Sequence, residues 1–282
     1  MSVWQTTRFA IDLARPRVMG IVNVTPDSFS DGGQHASAAS AMAHCDALLR
    51  GGAHILDIGG ESTRPGAHAP SVDEELQRVL PVLRHAVTLG VPVSVDTSRP
   101  QVMRAALDLG VDIVNDVRAL QREGALEVMA AHSSAGVCLM HMQGEPGTMQ
   151  SAPHYVDVLA EVRGFLAARL AAVLARGIAA NRIVLDPGIG FGKTVDDNLS
   201  LLRRQHELLD IGAPLLVGWS RKATLGAVTG RGVHERQAAS IAAAMLAVQR
   251  GARIVRVHDV AATVDALALW QAIENNRGTE QQ

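Results

Sequence analysis

The sequence has few aromatic residues and few cysteines. Only 3% of its 282 residues are aromatic while 48% are hydrophobic, so its core must be built mainly from Ala, Val, Leu and Ile. This length is enough to bury a large core, and one α/β barrel can use all of it. Cys45 and Cys138 are far apart, in apolar helix-like and strand-like contexts. They indicate buried, reduced thiols of a cytoplasmic protein and argue against a disulfide-stapled scaffold.

The sequence also lacks a strong charge imbalance, long apolar runs and common zinc motifs. The formal net charge of −2 provides no basic surface for nucleic acid. No uncharged apolar run is long enough to span a membrane. The first twenty residues, with Arg8, Asp12, Arg15 and Arg17, lack the apolar core of a signal peptide. The absence of CxxC, HxH and HExxH motifs disfavours a dedicated zinc site.

What the chain does contain is eight short apolar runs, each of which stops at residues that can do chemistry. The apolar runs cover residues 18–22, 55–58, 93–95, 113–114, 137–140, 183–185, 215–217 and 254–257. In the same order, the residues that follow them are Asn23, 59–61, Asp96, Asn115, His141, Asp186, 220–222 and His258. Such nearly continuous apolar runs are typical of parallel strands covered on both faces. Between them lie Ala-rich stretches with helical spacing, at 37–49, 72–89, 100–109, 155–175, 197–204, 234–250 and 261–273.

This alternation predicts the fold class. Strand and helix alternating eight times is the count of a closed (β/α)8 barrel, the TIM barrel. We expect one domain over 1–282, with an opening segment at 1–17 and a flexible tail at 274–282. A doubly wound sheet is the alternative, but it usually needs fewer strands and carries a glycine fingerprint after its first strand, which is absent here.

The barrel prediction also locates the site, because the carboxyl ends of the strands of a TIM barrel meet at one mouth. Each polar residue alone could be a helix cap or a loop residue, but eight together are hard to explain as caps. Two connections are long, Thr25 to Ala36 and Glu61 to Ser71, and both are rich in Gly, Pro, Ser and Thr. Long loops in a compact domain are often lids or binding loops.

A cluster of cations is predicted at one side of the mouth. Arg256 and His258 are two residues apart on one strand, so their side chains share a face and suit a phosphate group. The alternative is a surface salt bridge that involves Asp259. Lys222 neighbours the pair, or is merely a solvated loop lysine. Asn23 ends the first strand and offers a carboxamide oxygen that suits magnesium, Mg2+, although Asn is also an ordinary strand terminator.

A second group of predicted site residues suits a flat heterocycle. Asp96, Asn115 and Asp186 supply acceptors and an amide, and a carboxylate can accept two parallel N–H bonds from an amidine-like edge. The alternative is that one of these acids pairs with Lys222 or Arg256. The stretch 188–194 resembles a phosphate-binding P-loop, but Pro187 stands where the first glycine is required. We interpret it as a tight turn that lets backbone approach a planar ligand, with Phe191 as an apolar wall.

These segments together resemble the signatures of one enzyme family. The matching stretches are 23–33 (NVTPDSFSDGG), 57–66 (DIGGESTRPG), 94–97, 114–116, 139–142, 186–194 (DPGIGFGKT), 220–222 and 256–259. They resemble, in this order, the motifs of dihydropteroate synthases, from about Met19 to about Val260. One position departs from the pattern, because many relatives carry Ser where this chain has Ala223 and use it near the carboxylate of a substrate.

The resemblance implies a cytoplasmic, homodimeric transferase of folate biosynthesis and a target of sulfonamides. Such enzymes join 6-hydroxymethyl-7,8-dihydropterin diphosphate to 4-aminobenzoate, with release of pyrophosphate. The implied residues are Asp96, Asn115, Asp186, Lys222, Met140, Gly190 and Phe191 for the pterin, Asn23, Arg256 and His258 for the diphosphate and Mg2+, and Asp27, Phe29, Asp31, Thr63, Arg64 and Pro65 in the two long loops. Of these, Asp96, Lys222, Arg256 and His258 are the expected catalytic residues.

Two other functions compete with this one. A methyltransferase module on the same barrel would bind a methyl-folate and pass its methyl group to a corrinoid. The two long-loop signatures and the cation cluster disfavour it, since that reaction involves no pyrophosphate. A non-catalytic regulatory homologue would only bind pterin, and the complete set of polar residues disfavours it.

Overall fold

The protein folds as a closed parallel barrel, which confirms the predicted (β/α)8 architecture. The structure, a computed structural model, describes residues 3–24, 33–61, 69–145 and 147–277. A hairpin of β1 (Val3–Gln5) and β2 (Ala10–Asp12) precedes the barrel strands, which are β3 (Arg17–Asn23), β4 (Ile55–Gly59), β5 (Val93–Asp96), β6 (Ile113–Asp116), β7 (Gly136–Met140), β8 (Ile183–Asp186), β9 (Leu215–Val217) and β10 (Ala252–Val257). The last strand, β10, pairs in parallel with the first, β3, and so closes the ring.

Helices connect the barrel strands. They are α1 (Gly33–Arg50), α2 (Val72–Ala86), α3 (Pro100–Asp108), α4 (Ala125–Ala131), α5 (Val158–Ala175), α6 (Val195–Arg204), α7 (Ala223–Thr229), α8 (Gln237–Gln249) and α9 (Val260–Arg277). Local sequence explains several starts. Ser71 and Glu74 form a capping box at α2, and Thr194 and Asp197 form one at α6. The predicted helix at 155–175 begins only at Val158, because the Asp157 side chain caps it.

The opening segment is structured and closes the amino-terminal end of the barrel. Trp4 on β1 is fully buried, and its indole Nε1 donates to the Arg182 carbonyl at 2.9 Å. Buried Asp112 accepts from the Arg8 guanidinium at 2.6 Å and from the Val93 backbone at 2.9 Å. At the other end of the chain, α9 continues through Arg277, into the segment predicted as a flexible tail.

Inside the barrel the side chains change from apolar to polar along the strands. The hairpin packs on an apolar layer that comprises Met19, Ile55, Ile113, Cys138, Val184, Leu216 and Ile254. Two residues further along, with the same inward direction, four of these seven strands carry a polar or charged residue, Asp57, Asn115, Asp186 and Arg256, while the other three carry Ile21, Met140 and Gly218. At these inward positions the strand period therefore gathers charged side chains towards the carboxyl-terminal end.

Both cysteines, Cys45 and Cys138, are buried with free thiols, as the sequence predicts. Across the residues that the structure describes, no helix is both long enough and apolar enough to cross a membrane.

Candidate active site

The strand register sets the predicted site residues beside one another around the mouth. Asn23 lies opposite Gly59 across the β3–β4 ladder, and Gly59 lies opposite Asp96 on β5. Asp96 in turn lies opposite Asn115 on β6. On the far side, Met140 of β7 lies opposite Asp186 of β8. Residues distant in sequence thus form one continuous rim.

Arg256 links three strands at the centre of the mouth. Its Nε donates to Asp57 Oδ2 at 2.5 Å and its Nη2 donates to Asp96 Oδ2 at 2.7 Å. Asn115 Nδ2 donates to the same Asp57 oxygen at 3.2 Å. Asp96 therefore pairs with Arg256, which is one of the alternatives that the sequence left open. The guanidinium keeps further N–H groups with which it can bind an anion.

Asp57 is the residue of this network that sequence reasoning missed. Its side chain is fully buried, and its Oδ1 has no hydrogen-bond partner among the described residues. The sequence feature that could have identified it is a carboxylate in the middle of an apolar strand. Burial of such a charge costs free energy unless the charge is paired. Arg256 and Asn115 provide that pairing.

Burial shifts the pKa values of Asp96, Asp186 and Lys222 at the mouth. It raises the pKa of Asp96 to about 7 although Arg256 opposes the shift, and it also raises the pKa of Asp186 against the charge of Lys222. Burial lowers the pKa of Lys222 to about 8, against the nearby charge of Asp186. A ligand that supplies N–H donors would stabilise the ionised carboxylates of Asp96 and Asp186.

The segment 187–193, which we call the glycine loop, forms one wall of the mouth. Gly188, Gly190 and Gly192 all have positive φ angles, of 67°, 79° and 59°. A Cβ atom at Gly188 would lie 1.8 Å from the His141 carbonyl oxygen, so no other residue fits there. Lys222 Nζ lies 4.5 Å from the Phe191 ring centroid and donates to the Ile189 carbonyl. The loop is the tight turn that the sequence predicts, and it binds this cation through its own backbone.

The turn at 220–222 holds Lys222 and His258 in place. Arg221 has a positive φ of 60°, and its backbone N–H donates to Ser240 Oγ at 2.9 Å. Ser220 Oγ lies 2.9 Å from His258 Nδ1 and accepts from the His258 backbone at 3.1 Å. Asp259 pairs with Arg221 at 2.7 Å. The salt bridge of Asp259 that the sequence left open as an alternative is therefore made with Arg221.

His141 lies behind the mouth. It is buried, it packs edge-on against Phe165 with ring centroids 4.9 Å apart, and burial lowers its pKa to about 3. Its Nδ1 faces Lys193 at 2.9 Å. Its neighbour Met140, on the inward face of β7, is the residue that lines the mouth at this strand.

The predicted residues of the two long loops, Asp27, Phe29, Asp31, Thr63, Arg64 and Pro65, lie outside the described residues. The ends of the second loop are described, and both are bound to the body of the protein. Arg78 donates to the Gly60 carbonyl at 2.9 Å, and Arg99 donates to the Pro70 carbonyl. Arg99 also pairs with buried Glu75 at 2.9 Å. Sequence reasoning did not find these anchoring residues.

Comparisons with known proteins identify the family of the chain. The family described as "Pterin binding enzyme" matches residues 19–258. A dihydropteroate synthase of Neisseria meningitidis serogroup B is 54% identical over 280 residues, which cover 97% of this chain and 98% of that protein.

Solved structures show the same similarity. A Xanthomonas albilineans dihydropteroate synthase with 4-aminobenzoic acid superposes with a TM-score of 0.89 at 52% identity, over 94% of this chain and 95% of that one. The same organism's enzyme in complex with 7,8-dihydropteroate gives 0.86 at 50% identity, over 94% and 96% of the two chains. The chain therefore belongs to the pterin-binding enzymes and, within them, to the dihydropteroate synthase family.

Proposed function

We propose that the barrel mouth joins 6-hydroxymethyl-7,8-dihydropterin diphosphate to 4-aminobenzoate and releases pyrophosphate and 7,8-dihydropteroate, a step of folate biosynthesis. The observation that carries the proposal is the Arg256 network, in which one guanidinium is shared between Asp57 and Asp96. The carboxylates are acceptors for a ring rich in N–H donors, and the Arg256 guanidinium is a cation for a diphosphate. The network therefore holds both kinds of group within the length of one side chain. The family's transferase activity supplies the chemistry that needs both.

The pterin ring is assigned to the side of the mouth formed by β6, β7 and β8. Asp186 and Asn115 face its N–H and carbonyl edge, while Lys222 offers a donor above the glycine loop. Asp186 Oδ1 already accepts from the Gly188 backbone at 2.7 Å, which fixes the orientation of the carboxylate. Met140 and Phe191 provide apolar contacts to the ring faces, and Gly190 lets backbone approach it.

The diphosphate is assigned to Arg256 and His258, with Mg2+ at Asn23. No group of three His, Cys, Asp or Glu side chains within the described ranges is arranged to hold a metal. One carboxamide oxygen at the end of β3 fits an ion that takes most of its ligands from phosphates and water, as Mg2+ does. When bound, Mg2+ would neutralise charge on the leaving pyrophosphate.

The proposed reaction is a dissociative substitution. The bond between the pterin methylene carbon and the diphosphate oxygen breaks, and its electron pair leaves with pyrophosphate, whose charge Arg256 and His258 take up. The ring donates electron density to the methylene, and the Asp96 carboxylate stabilises the cation that develops. The neutral aromatic amine attacks the carbon and then loses a proton to solvent, so no strong base is needed.

We also propose a homodimer, which contacts through α8 and α9. Both helices carry apolar residues on their outward faces, where Leu246 is 40%, Ile273 48% and Leu269 66% exposed. Large apolar side chains exposed on neighbouring helices often mark a surface that a partner covers. Light scattering of the purified protein tests this association.

The free buried thiols support a cytoplasmic location.

A pyrophosphate-release assay tests the proposed activity. With the pterin diphosphate and Mg2+, we expect release that depends on 4-aminobenzoate and that a sulfonamide inhibits by competition with it. A methyltransferase module or a regulatory pterin binder would release none. Wild-type protein that binds pterin but produces no 7,8-dihydropteroate would refute the proposal.

A further inference from the structure

Lysine is rare in this chain, and both of its lysines meet at the glycine loop. Among 26 Lys and Arg residues the two lysines are Lys193 and Lys222. Lys222 belongs to the proposed pterin site, whereas Lys193 is buried behind it. It stands where a P-loop would place a phosphate-binding lysine, but its side chain is only 3% exposed and cannot reach a phosphate in solvent.

Lys193 instead binds the backbone of its own loop. Its Nζ donates to the Gly188 carbonyl at 2.8 Å, to the Phe191 carbonyl at 3.1 Å and to His141 Nδ1 at 2.9 Å. These contacts use the donors of one ammonium group. Since burial keeps His141 neutral, its ring nitrogen can accept the bond.

The other carbonyl groups of the loop are bound as well. Ile189 accepts from Lys222, Gly190 accepts from Gln150, and Gly192 accepts from Tyr155. Five consecutive carbonyls, from Gly188 to Gly192, therefore each accept from a side chain, and Lys193 holds two of them. Strained glycine backbone keeps one shape only when its surroundings fix it.

An ammonium suits this position better than the guanidinium that the chain uses almost everywhere else. It is compact, and its donors point in separate directions, whereas a planar guanidinium fork would not fit between two carbonyls of one tight turn. Burial lowers the pKa of Lys193 to about 7, with the charge of Lys222 as a second cause, so the group is retained at some cost to stability.

We propose that Lys193 is a positioning residue for the pterin pocket. By binding the Gly188 and Phe191 carbonyls it holds the glycine loop in the shape that presents the Ile189 carbonyl and the Phe191 ring to Lys222. The inference rests on the proposed function, because it takes Lys222 as a pterin contact.

A double-mutant cycle tests this role by calorimetric binding of a bare pterin, 6-hydroxymethylpterin. We expect Lys193→Met to bind it about tenfold or more weakly. The double variant with Lys222→Met should bind within about threefold of Lys222→Met alone, because the two residues act through one contact. Additive losses, or near-wild-type affinity of Lys193→Met, would overturn the proposal.

A matched control separates this effect from lost stability. Gln205 is also buried and donates to two carbonyls, of Ala247 at 2.8 Å and Arg250 at 3.2 Å, at the opposite end of the barrel. Gln205→Met should lower the melting temperature without changing pterin affinity. If Gln205→Met weakens pterin binding as much as Lys193→Met does, then Lys193 merely stabilises the fold.

A measurement on the unaltered protein covers the case in which Lys193→Met does not fold. Protein labelled with 13C at the lysine ε carbon gives only two lysine signals, which Lys222→Met assigns. Added pterin should shift both signals, although only Lys222 can touch the ligand. Movement of the Lys222 signal alone overturns the positioning role. If the wild-type protein binds no pterin at all, the proposed function itself fails.

Discussion

Asp186→Asn tests the pterin pocket with the smallest possible change in shape. Asp186 Oδ1 accepts from the Gly188 backbone at 2.7 Å, which leaves the other oxygen for the ligand. An asparagine has one oxygen and one NH2 group, so a donor must face either the Gly188 N–H or the pterin N–H. Loss of a charge-assisted bond and one donor facing a donor cost about 3–4 kcal/mol together. That corresponds to roughly a hundredfold to a thousandfold weaker binding.

The assay is calorimetric titration with 6-hydroxymethylpterin, alongside thermal unfolding. Burial raises the pKa of Asp186, so its ionised form opposes folding at neutral pH. The neutral asparagine removes that penalty, and we expect the melting temperature to stay unchanged or to rise. Affinity for the pterin should thus fall without a loss of thermal stability.

Asp197→Asn is the matched control, since Asp197 caps α6 just beyond the glycine loop and is only half-buried. It should leave pterin affinity unchanged. A threefold change in affinity corresponds to only about 0.7 kcal/mol. If Asp186→Asn binds pterin within about threefold of the wild type, the ring does not contact this carboxylate.

Four further predictions follow from the same geometry. Arg256→Ala should weaken binding of the diphosphate substrate far more than binding of a bare pterin in parallel titrations, and equal losses would remove its role as an anion ligand. Because burial raises the pKa of Asp96 to about 7, the free enzyme gains its catalytic carboxylate as pH rises through that value. The ratio kcat/KM should therefore fall below about pH 7, and Asp96→Asn should lose this limb of the profile. Trp4→Ala should reduce the free energy of unfolding by about 3–5 kcal/mol in urea titrations while KM is unchanged, since its indole lies at the closed end. Deletion within 27–33 should spare pterin binding and abolish condensation, which product chromatography would show.

Much of the fold follows from regularities that act over short distances. Apolar runs of strand length and Ala-rich stretches of helical period each report local burial, and their alternation fixes the topology. The strand period also predicts correctly that Asp96, Asn115 and Asp186 share a mouth. The short helices α4 and α7 were not predicted, because two turns carry too little periodicity to distinguish a helix from a loop.

The contacts within the site could not be predicted, because they join residues that are distant in sequence. Asp57 and Arg256 are 199 residues apart, and only the closure of β10 on β3 brings their strands near each other. The role of Lys193 likewise depends on His141, which arrives from another strand. The hairpin of β1 and β2 could not be predicted for the same reason, since Trp4 is buried only when the barrel floor is complete.

The closed floor has a consequence for the chemistry at the opposite end. Water can solvate Asp57 only from the mouth, since the layer that includes Ile55 and Cys138 and the hairpin beneath it seal the barrel below. The local dielectric at the site is therefore set by residues that never touch a substrate. A polar group in the floor, for example from Ile55→Thr, would lessen the desolvation of the Arg256 network and move the pKa of Asp96 back towards that of an ordinary carboxyl. The pH dependence of the active site is in this sense a property of the far end of the barrel.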